Sequence, residues 1–186
     1  MRYAPARLKL TPALLRQRAR ARGTVVAGMA DAVQQFSGSC FCGGVTVSVS
    51  GPPMFSSFCH CSICRRLSGA PYTAQSVWRA PAVELTSTAG DLLELRTSKH
   101  VVRERCPACA SPVRARMTLG KEEAVAVPLS LFEFEPAEGA GAAAPLSATH
   151  PFRPERHIHY AGRVVDCRDG LPKFSTSARG EPMDEE

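Results

Sequence analysis

The chain has 186 residues, of which 44% are hydrophobic, and this is enough for one domain with a buried core. No apolar run approaches the ~20 residues of a membrane-spanning helix, which argues against a protein integral to a bilayer. The net charge of +6 is typical of a nucleic-acid-binding protein, but its distribution along the chain points away from that class.

The excess positive charge lies in residues 1–30, which contain seven of the 23 basic residues and no acidic residue. The other 16 basic and 17 acidic residues give the rest of the chain a net charge of −1, so nucleic acid is not an expected partner of the folded domain. An Arg-rich, acid-free segment with several leucines suits an organelle transit peptide. A disordered basic arm and an extension upstream of a start at Met29 are the alternatives, and residues 1–30 are left out of the fold prediction.

From residue 33 onward the sequence has the pattern of short β-strands. Val45, Val47 and Val49 alternate with polar residues and predict a half-buried strand, which Gly51 and two prolines end. Further short strands are predicted at 73–78, 83–86, 93–95, 101–105, 113–117 and 124–127. The pattern predicts no long helix and no internal repeat. We therefore expect an all-β domain.

Two segments have a composition unlike that of the domain. Residues 136–149 are rich in Ala and Gly and are predicted to form a low-complexity loop inserted between strands. Residues 176–186 end in a run of acidic side chains and are predicted to be a disordered, solvated tail.

Seven of the eight cysteines fall into three clusters, which is the most informative feature of the chain. A closed structural zinc site takes four ligands, whereas a catalytic zinc keeps three protein ligands and one open position, so seven thiols predict one site of each kind. Disulfides and a redox CxxC fit the three clusters less well, and seven persistent thiolates imply an intracellular, reducing compartment, either the cytoplasm or an organelle. Only Cys167 stands apart. The clusters are Cys40-x-Cys42, Cys59-x-Cys61-x-x-Cys64 and Cys106-x-x-Cys109.

The spacing leaves two ways to pair these clusters. In a zinc-ribbon pairing, Cys61 and Cys64 would join Cys106 and Cys109 across 41 residues, which is longer than the usual separation of ~15–20 residues. In the other pairing, the 40/42 and 106/109 pairs share one metal and residues 59–64 form a local triad. We favour the second, because one hexapeptide can surround three sides of an ion and leave the fourth side open.

Several charged and titratable residues near the clusters are candidates for chemistry. Arg65 and Arg66 follow Cys64 and could offset the negative charge of a three-thiolate zinc or bind a substrate carboxylate, although a solvated pair is an equal alternative. His60 is expected to point away from the metal as a neighbouring or exposed residue. His157 and His159 would share one face of a strand, where local hydrogen bonds are favoured over metal binding or proton relay.

The clusters and their neighbours resemble the glutathione-dependent formaldehyde-activating enzyme/centromere protein V family. The resemblance covers about residues 33–175, and segments 1–30 and 136–149 fall outside it. Four stretches carry it: Ser-Cys-Phe-Cys-Gly-Gly-Val at 39–45, Cys-His-Cys-Ser-Ile-Cys-Arg-Arg-Leu-Ser-Gly-Ala-Pro at 59–71, Arg-Cys-Pro-Ala-Cys at 105–109, and Asp-Gly-Leu-Pro at 169–172.

The resemblance implies a zinc-stabilised β-tent of small antiparallel sheets without a large helical layer. It implies a structural zinc on Cys40, Cys42, Cys106 and Cys109, and an open, catalytic zinc on Cys59, Cys61 and Cys64. The implied activity is that of a carbon–sulfur lyase that joins glutathione, or another small thiol, to formaldehyde as S-hydroxymethylglutathione. The thiol would be activated at the open zinc, with Arg65 or Arg66 on its carboxylate.

One residue departs from the family pattern, and one alternative function stays open. Ala110 follows Cys109 where the family usually has glycine, and a positive φ there would cost about 1 kcal/mol. The alternative to an enzyme is a non-catalytic zinc-binding interaction protein of the centromere protein V type, for which the basic N-terminal segment would supply contacts. We favour the enzyme, because the domain itself offers no basic face.

Overall fold

The computed structural model describes residues 34–134, 146, 150–177 and 180–183. The N-terminal segment 1–30 and, apart from Leu146, the loop 136–149 lie outside the described residues. Within them the chain forms ten strands, one α-helix and three 3₁₀ turns. The strands are β1 (Gln35–Ser39), β2 (Val45–Ser50), β3 (Phe55–Cys59), β4 (Thr73–Arg79), β5 (Val83–Ser87), β6 (Leu93–Ser98), β7 (Val101–Arg105), β8 (Pro112–Leu119), β9 (Glu122–Pro128) and β10 (His157–Ile158).

The strands form two sheets, which confirms the predicted all-β class. The small sheet has the order β1-β2-β5, and the large sheet has the order β10-β3-β4-β9-β8-β7-β6. All pairs are antiparallel except that of β10 with β3, in which Ile158 lies opposite Cys59. The helix α1 (Ser62–Ser68) has only seven residues, so there is no helical layer in the described part of the chain.

The main core lies between the two sheets. Val45, Val47 and Val49 point inward from β2 in the alternation that the sequence predicts, and each is almost completely buried. The inner face of the large sheet contributes Trp78, whose ring meets Phe152 edge to face with 5.1 Å between centroids. Full burial of such aliphatic and aromatic side chains contributes about 1.5–3 kcal/mol each.

The other face of the large sheet is also apolar, but its side chains are small. Val77, Ala115, Ala124 and Ala126 are buried there, with larger side chains packed around their margin. Arg103 lies on the same face, since it is the cross-strand partner of Ala115, which in turn lies opposite Ala126. Because these residues have short side chains, this face leaves room beside α1 for a cleft.

Strands β1 and β3 and helix α1 were not predicted from the sequence. Strand β3 lacks an alternating pattern, because serines occupy its buried positions 56 and 57. Helix α1 has no Ser, Thr, Asp or Asn at its N-cap; the Cys61 sulfur takes that place and accepts a hydrogen bond from the Cys64 amide at 3.3 Å. The helix ends at Gly69, which has a φ of +67° and donates its amide to the Arg65 carbonyl.

The C-terminal residues pack back against β10. The His157 amide donates to the Pro172 carbonyl at 2.8 Å, and the Phe174 amide donates to the His157 carbonyl at 2.9 Å. Within the segment 176–186, where we expected a disordered acidic tail, Pro182 forms an isolated bridge with Phe174. In the part of the chain that the structure describes, no helix combines the length and the apolar character needed to cross a membrane.

Candidate metal centres and the adjoining cleft

The first candidate metal centre joins the two sheets. The turn between β1 and β2 carries Cys40 and Cys42, and the turn between β7 and β8 carries Cys106 and Cys109. All four sulfurs lie within 4.8 Å of one another. The structure thus forms the grouping that we favoured, and the zinc-ribbon pairing with Cys61 and Cys64 is not formed.

The sulfur geometry at this centre fits zinc. Cys42 Sγ lies 3.6 Å from Cys40 Sγ and 3.7 Å from Cys106 Sγ. A tetrahedron with zinc–sulfur bonds of ~2.3 Å has edges of about 3.8 Å. Burial raises the pKa of Cys42 to about 12, whereas burial at Cys109 is outweighed by hydrogen bonds with Ser111, which lower the pKa of that thiol to about 6. The four thiols therefore do not all ionise unless a cation compensates their charge. A metal ion is the natural counterion for such a donor set.

Each turn at this centre is fixed by its own backbone. Cys40 Sγ accepts a hydrogen bond from the Val45 amide at 3.2 Å, and Gly43 adopts a φ of +76°. In the other turn the Ala110 amide donates to the Cys106 carbonyl at 2.9 Å, with Ala110 at a φ of +60°. The family position that usually holds glycine therefore does need the left-handed conformation in this chain.

The second candidate metal centre is local in sequence. Cys59 ends β3, Cys61 caps α1 and Cys64 lies in the first turn of that helix. Their three sulfurs lie within 4.8 Å of one another, and Cys59 and Cys64 are buried. No fourth Cys, His, Asp or Glu of the described residues joins this group. The arrangement is that of a three-ligand site with one position left for another molecule.

The three thiols of this centre shift one another's pKa. Hydrogen bonds from Cys59 and Cys64 lower the pKa of Cys61, and donating its hydrogen bond to Cys61 raises the pKa of Cys59. A positive charge from outside the cluster also stabilises the thiolate form of Cys64, because Arg103 Nη2 donates to Cys64 Sγ at 3.5 Å. With three thiolates and one divalent ion the centre would carry a charge of −1, which the Arg103 guanidinium offsets.

A cleft adjoins the three-cysteine centre on the small-residue face of the large sheet. Helix α1 forms one wall and the sheet forms the floor, and the space of about 50 Å³ holds a small group rather than a large molecule. The guanidinium of Arg103 gives the cleft a positive charge at the sulfur end. The lining includes Cys64, Leu67, Ser68, Thr73, Gln75, Arg103, Ala115 and Ala126.

The arginines that follow Cys64 take different places. Arg65 donates from Nε to the His60 carbonyl at 3.1 Å, and Arg66 is exposed. Residues 64, 67 and 68 share one face of the helix, whereas residue 66 lies on the opposite face at ~100° per residue. Among the described residues, neither Arg65 nor Arg66 lines the cleft. Sequence reasoning missed Arg103, since nothing in β7 distinguishes it from an ordinary strand arginine.

The histidines are arranged differently from the sequence expectation. His60 points away from the cysteines as predicted, but it is fully buried, and its Nε2 lies 2.8 Å from His157 Nδ1. His157 and His159 do not share a strand face, because β10 ends at Ile158 and His159 adopts a φ of +54°. The isolated Cys167 lies within 4.8 Å of the nitrogens of His60 and His157.

Asp169 completes this group and was singled out by no chemical argument from the sequence. Its Oδ2 lies 2.9 Å from His157 Nε2. Desolvation opposes ionisation of the carboxyl, but the hydrogen bonds from His157 and from the Leu171 amide hold its pKa below the usual value. Burial lowers the pKa of His60 to about 4, so this ring is neutral at pH 7.

The sequence is similar to one family of known proteins. A family model described as "Glutathione-dependent formaldehyde-activating enzyme" matches residues 35–159, which is about two thirds of the chain. Among solved structures, a structural genomics protein of Rhodobacter sphaeroides matches with 18% identity and a TM-score of 0.41, over 57% of this chain and 91% of that one. No curated protein matches. The chain belongs to the glutathione-dependent formaldehyde-activating enzyme family.

Proposed function

We propose that this protein is a zinc-dependent carbon–sulfur lyase that forms or cleaves the adduct of a small thiol with formaldehyde. The observation that carries the proposal is the contrast between the two cysteine centres. Cys40, Cys42, Cys106 and Cys109 close a four-sulfur site that joins the sheets, whereas Cys59, Cys61 and Cys64 offer three sulfurs beside a cleft. The first donor set suits a structural Zn²⁺ and the second suits a catalytic Zn²⁺.

The residues at and around the second centre have different roles. Cys59, Cys61 and Cys64 would hold the metal, which when bound supplies a Lewis acid that lowers the pKa of a substrate thiol. Leu67 and Ser68 of α1 and the alanines of the sheet shape the cleft so that only a small reacting group enters. Arg103 keeps the centre close to neutral, so that a negatively charged substrate sulfur can approach it.

The reaction balances without a redox partner. The substrate sulfur forms a bond to the formaldehyde carbon while the carbon–oxygen π bond breaks. The proton lost by the thiol ends on the new hydroxyl group, which gives S-hydroxymethylglutathione when glutathione is the thiol. In the reverse direction the carbon–sulfur bond breaks and the same proton returns to sulfur, which is the lyase activity.

An arginine would also recognise the substrate. Glutathione carries two carboxylates, and guanidinium groups bind carboxylates through paired hydrogen bonds. From the sequence we proposed Arg65 or Arg66 for this role, and both stay candidates for the part of the substrate outside the cleft. Arg103 lies at the cleft itself. A small-molecule thiol is therefore the proposed partner, in a reducing compartment in which all eight cysteines stay unpaired, as they are in the structure.

The test is zinc stoichiometry and product formation on anaerobically purified protein. We expect two zinc ions per chain, one of them perturbed by glutathione, and S-hydroxymethylglutathione formation from ¹³C-formaldehyde that is faster than the uncatalysed reaction. Cys61→Ser should lose one zinc ion and the activity, whereas the matched variant Cys167→Ser should keep both zinc ions and the activity. One zinc that ignores glutathione, with no catalysis, would instead support the non-catalytic interaction protein.

A further inference from the structure

A hydrogen-bonded chain of three side chains lies directly behind the three-cysteine centre. Asp169 Oδ2 is 2.9 Å from His157 Nε2, and His157 Nδ1 is 2.8 Å from His60 Nε2. Both rings are inaccessible to solvent, with exposures of 0% for His60 and 1% for His157. These hydrogen bonds bring together His157 and His60, which are 97 positions apart. The series ends on His60, the residue between Cys59 and Cys61. Neither the metal ligation nor the cleft accounts for it.

The donor and acceptor of each bond follow from the carboxylate at one end. An ionised carboxylate only accepts, so His157 donates from Nε2 to Asp169. When His60 carries its hydrogen on Nε2, His157 Nδ1 is the acceptor of that hydrogen. His60 in turn has its free lone pair on Nδ1, a buried atom without a partner among the described residues. The hydrogen bonds therefore link the hydrogen positions of the two rings to each other.

The distances distinguish this chain from a third metal site. Two nitrogens bound to one tetrahedral ion at ~2.0–2.1 Å are about 3.3 Å apart. His60 Nε2 and His157 Nδ1 are 2.8 Å apart, a normal hydrogen-bond distance. The sulfurs of the four-cysteine centre, in contrast, have the separations of metal ligands. Although Cys167 lies near both rings, the separation of the two ring nitrogens is that of a hydrogen-bonded pair.

The hydrogen-bonded side chains hold the His60 ring between two tyrosines. Tyr160 meets the His60 ring edge to face at 4.9 Å, and Tyr72 lies at 5.1 Å. The His60 amide also donates to the Ile158 carbonyl at 3.0 Å. Neighbouring side chains of an extended segment point to opposite sides. Fixing the His60 ring on one side therefore fixes both adjacent cysteine sulfurs on the other.

We propose that Asp169 and His157 are positioning residues of the three-cysteine centre, which act through His60. They keep the sulfurs of Cys59 and Cys61 converged, and they prevent the His60 ring from turning toward the metal as a fourth ligand. The fourth position is thereby kept for a substrate thiol. This inference rests on the proposed function in one respect, that Cys59, Cys61 and Cys64 hold a metal.

The first test reads the tautomers directly. In ¹⁵N-labelled full-length protein, two-bond proton–nitrogen NMR spectra should show a hydrogen on His157 Nε2, directed at Asp169, with and without zinc. Absence of a hydrogen on His157 Nε2 would overturn the inference, because the ring could then not donate to Asp169. Binding of a third metal ion that shifts both rings would also overturn it, because the two histidines and Cys167 would then be ligands.

The second test uses cobalt as a spectroscopic probe in full-length protein. We expect Asp169→Ala to weaken cobalt binding at the three-cysteine centre about tenfold or to add a nitrogen ligand to its spectrum, as loss of an outer partner does elsewhere. The four-cysteine centre of the same molecule should be unchanged. Asp169→Asn, which keeps an acceptor oxygen, should recover much of the affinity. Asp166→Asn is the matched control, because Asp166 is an exposed carboxylate in the same segment that pairs with Arg163.

Two results would contradict the positioning role. In one, Asp169→Ala leaves the affinity and spectrum of the three-cysteine centre within twofold of the unmodified protein. In the other, both centres weaken equally, which is the sign of a purely structural role. Failure of the proposed function looks different, since cobalt would then bind only the four-cysteine centre even in the unmodified protein.

Discussion

Arg103 and Cys64 are 39 residues apart in the chain, yet the guanidinium of one donates to the sulfur of the other at 3.5 Å. The contact forms because β7 and α1 meet at the small-residue face of the large sheet. It places a permanent positive charge beside a candidate metal ligand and at the edge of the cleft. The pair therefore couples the charge of the candidate metal centre to the charge at the edge of the cleft.

The first prediction concerns this arginine. We expect Arg103→Ala to lower kcat/KM for glutathione addition by about 10- to 100-fold, since a charge-assisted contact is worth about 1.5–3 kcal/mol. Zinc content, measured by atomic absorption, should stay at the unmodified value. Arg96→Ala removes an exposed arginine from the neighbouring strand and serves as the control. Equal activity of the two variants would show that Arg103 has no part in substrate binding.

The second prediction separates the two cysteine centres. Cys106 belongs to the centre that joins the small sheet to the large one, so Cys106→Ser should abolish cooperative thermal unfolding. Cys61 lies within one short segment, so Cys61→Ser should remove one zinc and leave the far-UV circular dichroism spectrum unchanged. The measurement is calorimetry together with zinc content. A folded Cys106→Ser variant with full thermal stability would contradict the structural role.

The third prediction concerns the strained turn after Cys109. Ala110 has a φ of +60°, a conformation that costs a residue with a side chain about 1 kcal/mol relative to glycine. We expect Ala110→Gly to raise the free energy of unfolding of the zinc-loaded protein by about that amount in urea titrations. Gly120→Ala is the mirror-image control, because Gly120 has a φ of +68° and open space around its Cα. It should lower stability by a similar amount, and a gain for Gly120→Ala would refute the argument.

The fourth prediction concerns a buried carboxylate on the other face of β7. Glu104 is only 4% exposed and forms ion pairs with Arg114 and Arg116. We expect Glu104→Gln to lower the free energy of unfolding by about 2 kcal/mol, less than for a fully buried pair because both arginines reach solvent. Urea titration is the measurement. Glu94→Gln, at an exposed carboxylate that also pairs with Arg116, should change stability by less than about 0.5 kcal/mol.

Much of the fold could be predicted because its signals are local. The alternation in β2 predicts which side chains face the core, and the structure buries Val45, Val47 and Val49. Strand β3 and helix α1 were missed for an equally local reason. Two of the buried positions of β3 are serines, of which Ser56 forms a hydrogen bond with Ser76 of the neighbouring strand, and α1 is capped by a sulfur.

The sequence by itself determined the cysteine clusters, the strand pattern and the family, because metal-ligand spacing and side-chain alternation are properties of neighbouring residues. The tertiary structure decided which side chains surround the second centre. Arg103 reaches it through the pairing of β7, β8, β9 and β4, and His157, with Asp169 hydrogen-bonded to it, reaches it through the parallel contact of β10 with β3. Such contacts depend on which strands meet in space, and no short-range pattern in the sequence encodes that choice.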